Sequence, residues 1–270
     1  MLDKAPAVSV IMSVYNHRDY VGKAIESILH QTLRNLELVI INDGSTDGSL
    51  DVIRKYEKLD SRIIVIDQNN QGLTRSLNTG VRKSSGQYIA RQDADDESVP
   101  DRLERQFRIL KKFKLDIVTS RAFKGEKIVP NALVLNFNRS NILKTGNIFI
   151  HGTFFISRYV FEVQTYNEQY RYAQDFKFVL DAFDNNLKIG FMLEPMYHLN
   201  NIETSISNTQ SKEQNKFVEK ALNESFGDAV YFLRINKCKK YLKNICKLIL
   251  SLYLHMCQSK GGVFTLIRRT

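Results

Sequence analysis

An α/β fold, with a mostly parallel central sheet and helices on both faces, is what the sequence predicts, and three observations predict it. Apolar, β-rich runs alternate with segments of helical periodicity five times within about 120 residues. The runs are apolar at consecutive positions, as in strands covered on both sides. Most of them end in polar turns that feed directly into a helix.

The first run, Ala7 to Val14, is followed by Asp19, a residue able to cap a helix. Val21, Ala24, Ile25, Ile28 and Leu29 then recur at i, i+3, i+4, i+7 and i+8, one face of that helix. Leu36 to Ile41 is the second run; Asn42-Asp43-Gly44-Ser45-Thr46-Asp47 stops it and starts a helix through about Leu59. Arg62 to Asp67 gives a third strand and Leu73 to Arg82 its helix. Gln87 to Arg91 gives a fourth strand that runs into Asp93. Pro100 opens a helix carrying Leu103, Phe107 and Leu110, and Leu115 to Thr119 is the fifth strand.

Beyond residue 120 the pattern is less regular. Residues 121 to 147 read as loop or short strands, Ile148 to Ser157 as a strand interrupted at His151-Gly152, and Gln174 to Phe183 as a helix burying Phe178, Val179, Ala182 and Phe183. Without repeat or linker, residues 1–205 form one expected domain, with halves at 1–120 and 121–205, and 206–270 a helical basic extension.

The net charge of +10 suggests nucleic acid until it is located. Tyr231 to Thr270 holds nine basic residues and no acidic one, so almost all of the excess lies there, and no nucleic-acid-binding pattern accompanies it. Leu242, Ile245, Ile249, Leu252 and Met256 recur at helical steps beside Lys239, Lys240, Lys243 and Lys247. Such a helix suits peripheral contact with an anionic membrane, or packing on protein. No signal-peptide pattern opens the chain, and the longest charge-free apolar stretch of the tail, Leu248 to Ser259, is too short to span a bilayer. Cys238, Cys246 and Cys257 lack disulfide or zinc spacing, so a cytoplasmic setting is expected.

Ligands of open parallel sheets bind beyond the carboxyl ends of the strands. Three polar sets fall there: Ser13-Val14-Tyr15-Asn16, then Asp43, then Asp93-Ala94-Asp95-Asp96. The dinucleotide Gly-x-Gly-x-x-Gly and the phosphate-loop Gly-x-x-x-x-Gly-Lys-Ser/Thr are both absent. The clustered carboxylates are hard oxygen ligands suited to Mg²⁺ or Mn²⁺ bridging a departing diphosphate, although helix caps and solvated turns also collect Asp.

Four ordered segments then carry a resemblance: Val8-Ser-Val-Ile-Met-Ser-Val-Tyr15-Asn16, Asn42-Asp-Gly-Ser-Thr-Asp47, Gly72-Leu-Thr-Arg-Ser-Leu-Asn78-Thr-Gly80 and Gly86-Gln-Tyr-Ile-Ala-Arg-Gln-Asp93-Ala-Asp95-Asp96. Together they resemble family 2 inverting glycosyltransferases of the GT-A type, closely over about residues 7–110 and loosely to about 205. The details resemble bacterial members that build O-antigens and exopolysaccharides. The resemblance implies a UDP-sugar donor, with galactose the first expectation, and a saccharide acceptor, in several members lipid-diphosphate-linked.

By position the resemblance assigns Ser13, Tyr15, Asp43, Arg75, Asp93 and Ala94 to the nucleotide, and Asp95 and Asp96 to the metal. Tyr15 would lie against the base and Asp43 would accept its N3–H, which fits uracil or thymine, whereas cytosine has no N3–H. The bland readings are a core aromatic for Tyr15, a helix cap with Ser45 for Asp43 and a solvated charge for Arg75. Asp175, in Tyr172-Ala-Gln-Asp175-Phe, takes the place of the general base; Gln174 replaces the family's Glu, and the competing reading is a carboxylate at a helix N-terminus. A catalytically silent nucleotide-binding scaffold and a sugar nucleotidyltransferase are the alternatives. Against the latter, Tyr15-Asn16-His17-Arg18-Asp19 has no glycine where that chemistry needs a Gly-rich loop.

Overall fold

Burial of both faces of β1 (Val8–Val14) sets the centre of the molecule. The computed structural model describes residues 5–131, 147–200, 211–226 and 264–267. β1 lies between β2 (Leu36–Asp43) and β4 (Tyr88–Asp93), parallel to both, and β3 (Ile63–Gln68) extends the sheet beyond β2 in the same direction. On one face Val10, Met12, Leu38 and Ile40 pack with Val21, Ile25 and Ile28 of α1 (Arg18–Leu29), Ile53 of α2 (Ser49–Leu59) and Leu103 of α4 (Arg102–Phe113). On the other, Ile11, Val39 and Ile41 meet Leu77 and Val81 of α3 (Leu73–Lys83). The period of two along the strands and of 3.6 along the helices therefore meet as the sequence predicts.

The second half continues the same sheet. The strand order is β10-β9-β6-β8-β4-β1-β2-β3, where β6 is Ile117–Lys124, β8 Phe155–Ser157, β9 Ile189–Leu199 and β10 Phe264–Ile267. β8 is antiparallel to both neighbours, whereas β6, β9 and β10 run parallel to one another. Two short strands lie off this path: β5 (Glu97–Ser98) pairs with β9 and β7 (Lys127–Val129) with β6. A one-turn helix, α5 (Val160–Val163), precedes α6 (Gln174–Asp184), which α7 (Ser211–Phe226) flanks.

Several expectations change in detail. Asp19 does not cap α1: the Arg18 N–H donates instead to Asp47 Oδ2 at 2.9 Å and the His17 N–H to Ser49 Oγ at 2.9 Å, so the next loop supplies the cap. The helix after Pro100 starts two residues later, at Arg102. Of the expected strand over Ile148 to Ser157 only β8 forms, preceded by a 3₁₀ turn at His151–Thr153. β9 was not expected, because Gly190 and Pro195 interrupt its apolar run; Pro195 sits opposite Arg121 at a register shift, where a missing N–H is tolerated. The C-terminal extension is helical at α7, while Phe264–Ile267 adds a strand to the sheet. The basic helix expected around Lys239 to Met256 lies outside the described residues.

Candidate active site

The carboxyl ends of β1, β2 and β4 bring the first three polar sets together. Ser13 and Asp93 are direct partners across β1 and β4, and Asp43 ends β2 one position beyond Asn42, the partner of Val14. Tyr15 is 49% exposed, which sets aside the core-aromatic reading and leaves its ring available to a ligand. Asn16, at φ 57°, turns the chain, and its Oδ1 accepts the Thr46 N–H at 2.8 Å, tying this loop to the one after β2.

Asp43 is only 2% exposed and does not cap with Ser45. Its Oδ1 accepts from Gln68 Nε2 at 2.8 Å and the Gln71 N–H at 2.9 Å, and its Oδ2 from the Gly72 N–H at 2.8 Å. Three of about four carboxylate acceptor positions are thus filled. Arg75 is exposed on α3, its Nε 3.4 Å from Glu168 Oε2.

The acidic motif is crowded and half buried. Asp93 Oδ1 accepts from the buried Arg91 guanidinium at 2.6 Å, and its backbone N–H donates to the Tyr197 hydroxyl at 2.9 Å. Asp96 accepts the Asn200 N–H at 2.8 Å. Burial, then the charges of Asp93 and Asp95, push the Asp96 carboxyl up to about 9; burial and Asp93 raise Asp95 as well. The Ala94 methyl is buried in the core on the α1 side. Among the described residues no three His, Cys, Asp or Glu side chains converge as a closed metal cage. Crowded carboxylates of this kind still fit Mg²⁺ or Mn²⁺, which take one or two carboxylates and complete their shell with phosphate oxygens and water.

Asp175, from the far half of the chain, comes close enough to Asp93 to feel its charge. It sits in the first turn of α6, after Ala173 at φ 53°, and its Oδ2 accepts from Asn147 Nδ2 at 2.6 Å. Burial raises its pKa and the charge of Asp93 adds to the rise, while hydrogen bonds from the Phe176 N–H and Asn147 pull the other way. His151 Nε2 lies 2.9 Å from the Tyr166 hydroxyl, which feels the charges of both Asp93 and Asp175. Burial, then Arg91, drives His151 down to about 3, so it is neutral. Gly152 is required beside it: a Cβ there would stand 2.4 Å from the Tyr197 hydroxyl and 2.7 Å from Asp93 Oδ2.

Sequence reasoning missed Tyr166, Tyr197, Asn147 and Asn200, single residues in irregular segments or in β9, where no periodicity marks them. Arg91 stood in plain view inside the acidic motif. Arg102, fully buried, donates to the Arg91 and Gly152 carbonyls at 3.0 and 2.7 Å and braces the motif from behind.

A family model described as Glycosyl transferase family 2 matches residues 9–165, more than half of the chain. The chain belongs to that family. This family 2 glycosyltransferase is 35% identical to an uncharacterized glycosyltransferase of Haemophilus influenzae over 199 residues, 66% of this chain and 60% of that protein. It is 29% identical to the chondroitin synthase of Escherichia coli over 89% of this chain and 36% of that one. The chain therefore spans less than two-thirds of either relative. Among solved structures it resembles Staphylococcus aureus TarS 1–349 in complex with UDP, with a TM-score of 0.64 at 18% identity over 88% of this chain and 73% of that one. It also resembles the mannosyltransferase PcManGT of Pyrobaculum calidifontis in complex with GDP-Man and Mn²⁺, with a TM-score of 0.59 at 15% identity over 96% and 87% of the two chains. At such identities the likeness is one of fold, and it is the GT-A fold.

Proposed function

We propose that this family 2 glycosyltransferase moves one sugar, galactose first among the candidates, from a UDP-sugar to a hydroxyl of a bacterial surface saccharide, with inversion at the anomeric carbon. The observation that carries the reading is that Asp93 and Asp175, from the two halves of the chain, both lie near enough to the buried Tyr166 hydroxyl for their charges to raise its pKa. On this reading the carboxylates of the acidic motif would face the donor diphosphate and Asp175 the acceptor hydroxyl.

Tyr15 offers a ring to the base, and the fourth acceptor position of Asp43 would suit the single N3–H of uracil better than the two-donor edge of guanine. PcManGT, solved in complex with GDP-Man, shares the fold, so the choice of uridine rests on Asp43 and not on the sheet. Ser13, the Ala94 backbone, Arg75 and Asp93 complete the nucleotide side; Arg75 would exchange Glu168 for a phosphate. Asp95 and Asp96 would hold Mn²⁺ or Mg²⁺, which when bound neutralises the diphosphate. Asp175 takes the proton of the acceptor hydroxyl as its oxygen bonds to the anomeric carbon and the bond from that carbon to the diphosphate oxygen breaks. Its raised pKa makes the carboxylate a stronger base than a free Asp.

The acceptor we propose is a growing or lipid-diphosphate-linked saccharide. The basic residues after Tyr231 would meet the anionic leaflet that holds it. A thermal-shift panel of nucleotide sugars with Mn²⁺ tests the donor, since a ligand at 100 times its Kd stabilises by about 2.7 kcal/mol. Product analysis tests the reaction. Free UDP is expected; pyrophosphate would mean a nucleotidyltransferase, and binding without any product a silent scaffold.

A further inference from the structure

Two buried polar side chains of α3, Thr74 and Asn78, do work that a donor site does not call for. Both spend their hydrogen bonds on a segment 88 to 96 residues later in the chain. Asn78 grips one residue from both sides: its Oδ1 accepts the Tyr166 N–H at 3.1 Å and its Nδ2 donates to the Tyr166 carbonyl at 2.9 Å. The same Nδ2 lies 3.1 Å from Glu168 Oε1, and Thr74 Oγ1 donates to the Tyr170 carbonyl at 2.7 Å. Residues four apart share a helix face, so the two act on one stretch of backbone. A two-point amide grip fixes both the position and the rotation of Tyr166, and an apolar replacement would leave a buried N–H and C=O unpaired.

What the gripped segment carries decides what the grip is for. The Tyr166 ring stacks on Phe178 with centroids 4.6 Å apart, and Phe178 lies one turn after Asp175 on α6. Past Tyr170 the chain turns through Ala173 straight into that helix. At its other end α3 is held by Asp43, through the N–H groups of Gln71 and Gly72. One helix therefore touches the nucleotide side at its start and the base-bearing segment along its buried face.

We infer that Asn78 and Thr74 are positioning residues, which fasten residues 166–170 so that the Asp175 carboxylate is held in place relative to a donor lying against Asp43 and the acidic motif. The inference rests on Asp175 being the base.

The test is a kinetic series on the full chain with Mn²⁺ and a UDP-sugar. Thr74→Val removes only the hydroxyl, Thr74→Ser restores it and Asn78→Ala removes the whole grip. Displacing a reacting group by about 1 Å costs up to about 100-fold, so kcat should fall about tenfold in Thr74→Val and about 100-fold in Asn78→Ala. The Kd for UDP and the donor KM should stay within about twofold, with Thr74→Ser near the native kcat. In an Asp175→Asn background, Asn78→Ala should cost no further kcat, because a misplaced base cannot be lost twice. Unchanged kcat in both single variants, an additive loss on top of Asp175→Asn, or a fall in UDP affinity as large as the fall in kcat/KM would each overturn the fastening role. If Asn78→Ala does not fold, the Thr74 pair decides alone. Retained turnover in Asp175→Asn by itself strikes the base, and the fastening role with it, a failure separate from the others.

Discussion

Asp96 carries the most displaced carboxyl of the acidic motif, pushed up to about 9 by burial and by its neighbours Asp93 and Asp95. An Asp whose folded pKa lies above its unfolded value favours folding while protonated. Its contribution is full below about pH 4, near the unfolded pKa, and is lost as pH rises through about 9. The metal-free protein should therefore lose melting temperature between pH 5 and 9 relative to Asp96→Asn, and Mn²⁺ should remove that difference most at high pH, where it competes with fewer protons. Equal slopes for the two proteins would mean that Asp96 stays ionised. Arg91 donates to the Asp93 carboxylate and the Asn200 N–H to that of Asp96, whereas among the described residues no hydrogen bond from another residue reaches the Asp95 carboxylate. Asp95→Asn should fold normally and lose turnover, and EDTA should abolish transfer until Mn²⁺ or Mg²⁺ is restored. Full activity in the chelator would remove the metal from the account.

At the scale of elements, α3 lies against the sheet through a glycine. A Cβ on Gly80 would stand 2.5 Å from Ile11 Cγ2 and 2.7 Å from Ile41 Cδ1. Overpacking of this kind costs about 1–3 kcal/mol, so Gly80→Ala should lower the unfolding free energy by that much while UDP affinity holds. A stability equal to the native protein's would show that α3 shifts freely on β1 and β2. This packing was legible beforehand, because five strand-helix units advertise themselves by a change of hydrophobic period and by Asp-, Asn- and Gly-rich strand ends. Ser13, Asp43 and Asp93 could be placed at one edge for that reason. Beyond β6 only α6 was legible in this way, with Phe178, Val179, Ala182 and Phe183 buried as expected. β9 hides behind Gly190 and Pro195, and β8 shrinks to three residues because His151–Thr153 turn tightly beneath Asp93. Asn78 was visible as a motif residue, yet its partner Tyr166 was not, since a contact across 88 residues leaves no local trace.

Taken whole, the molecule joins two halves through one sheet, and its last described strand, β10, comes from the basic C-terminal stretch and pairs with β9. Cutting the chain after about residue 230 would strip β10 and bare the β9 edge, so charge reversal is the cleaner probe of membrane contact. Reversing Lys239, Lys240, Lys243 and Lys247 to Glu should abolish low-salt pull-down by phosphatidylglycerol vesicles, each lysine contributing about 1 kcal/mol near such a surface, with transfer to a soluble acceptor unchanged. Equal binding of both proteins, or binding to neutral vesicles at any salt, would assign the lysines to another surface. No helix among the described residues is long and apolar enough to cross a membrane. The central claim is the division of labour across the cleft, with the nucleotide held by one half and the acceptor proton removed by the other. Asp175→Asn, assayed for both UDP affinity with Mn²⁺ and rate of sugar transfer, tests it most directly. The account predicts a near-native Kd with transfer reduced at least about 100-fold, the low end of what a positioned base contributes; native turnover, or loss of UDP binding in step with turnover, would contradict it.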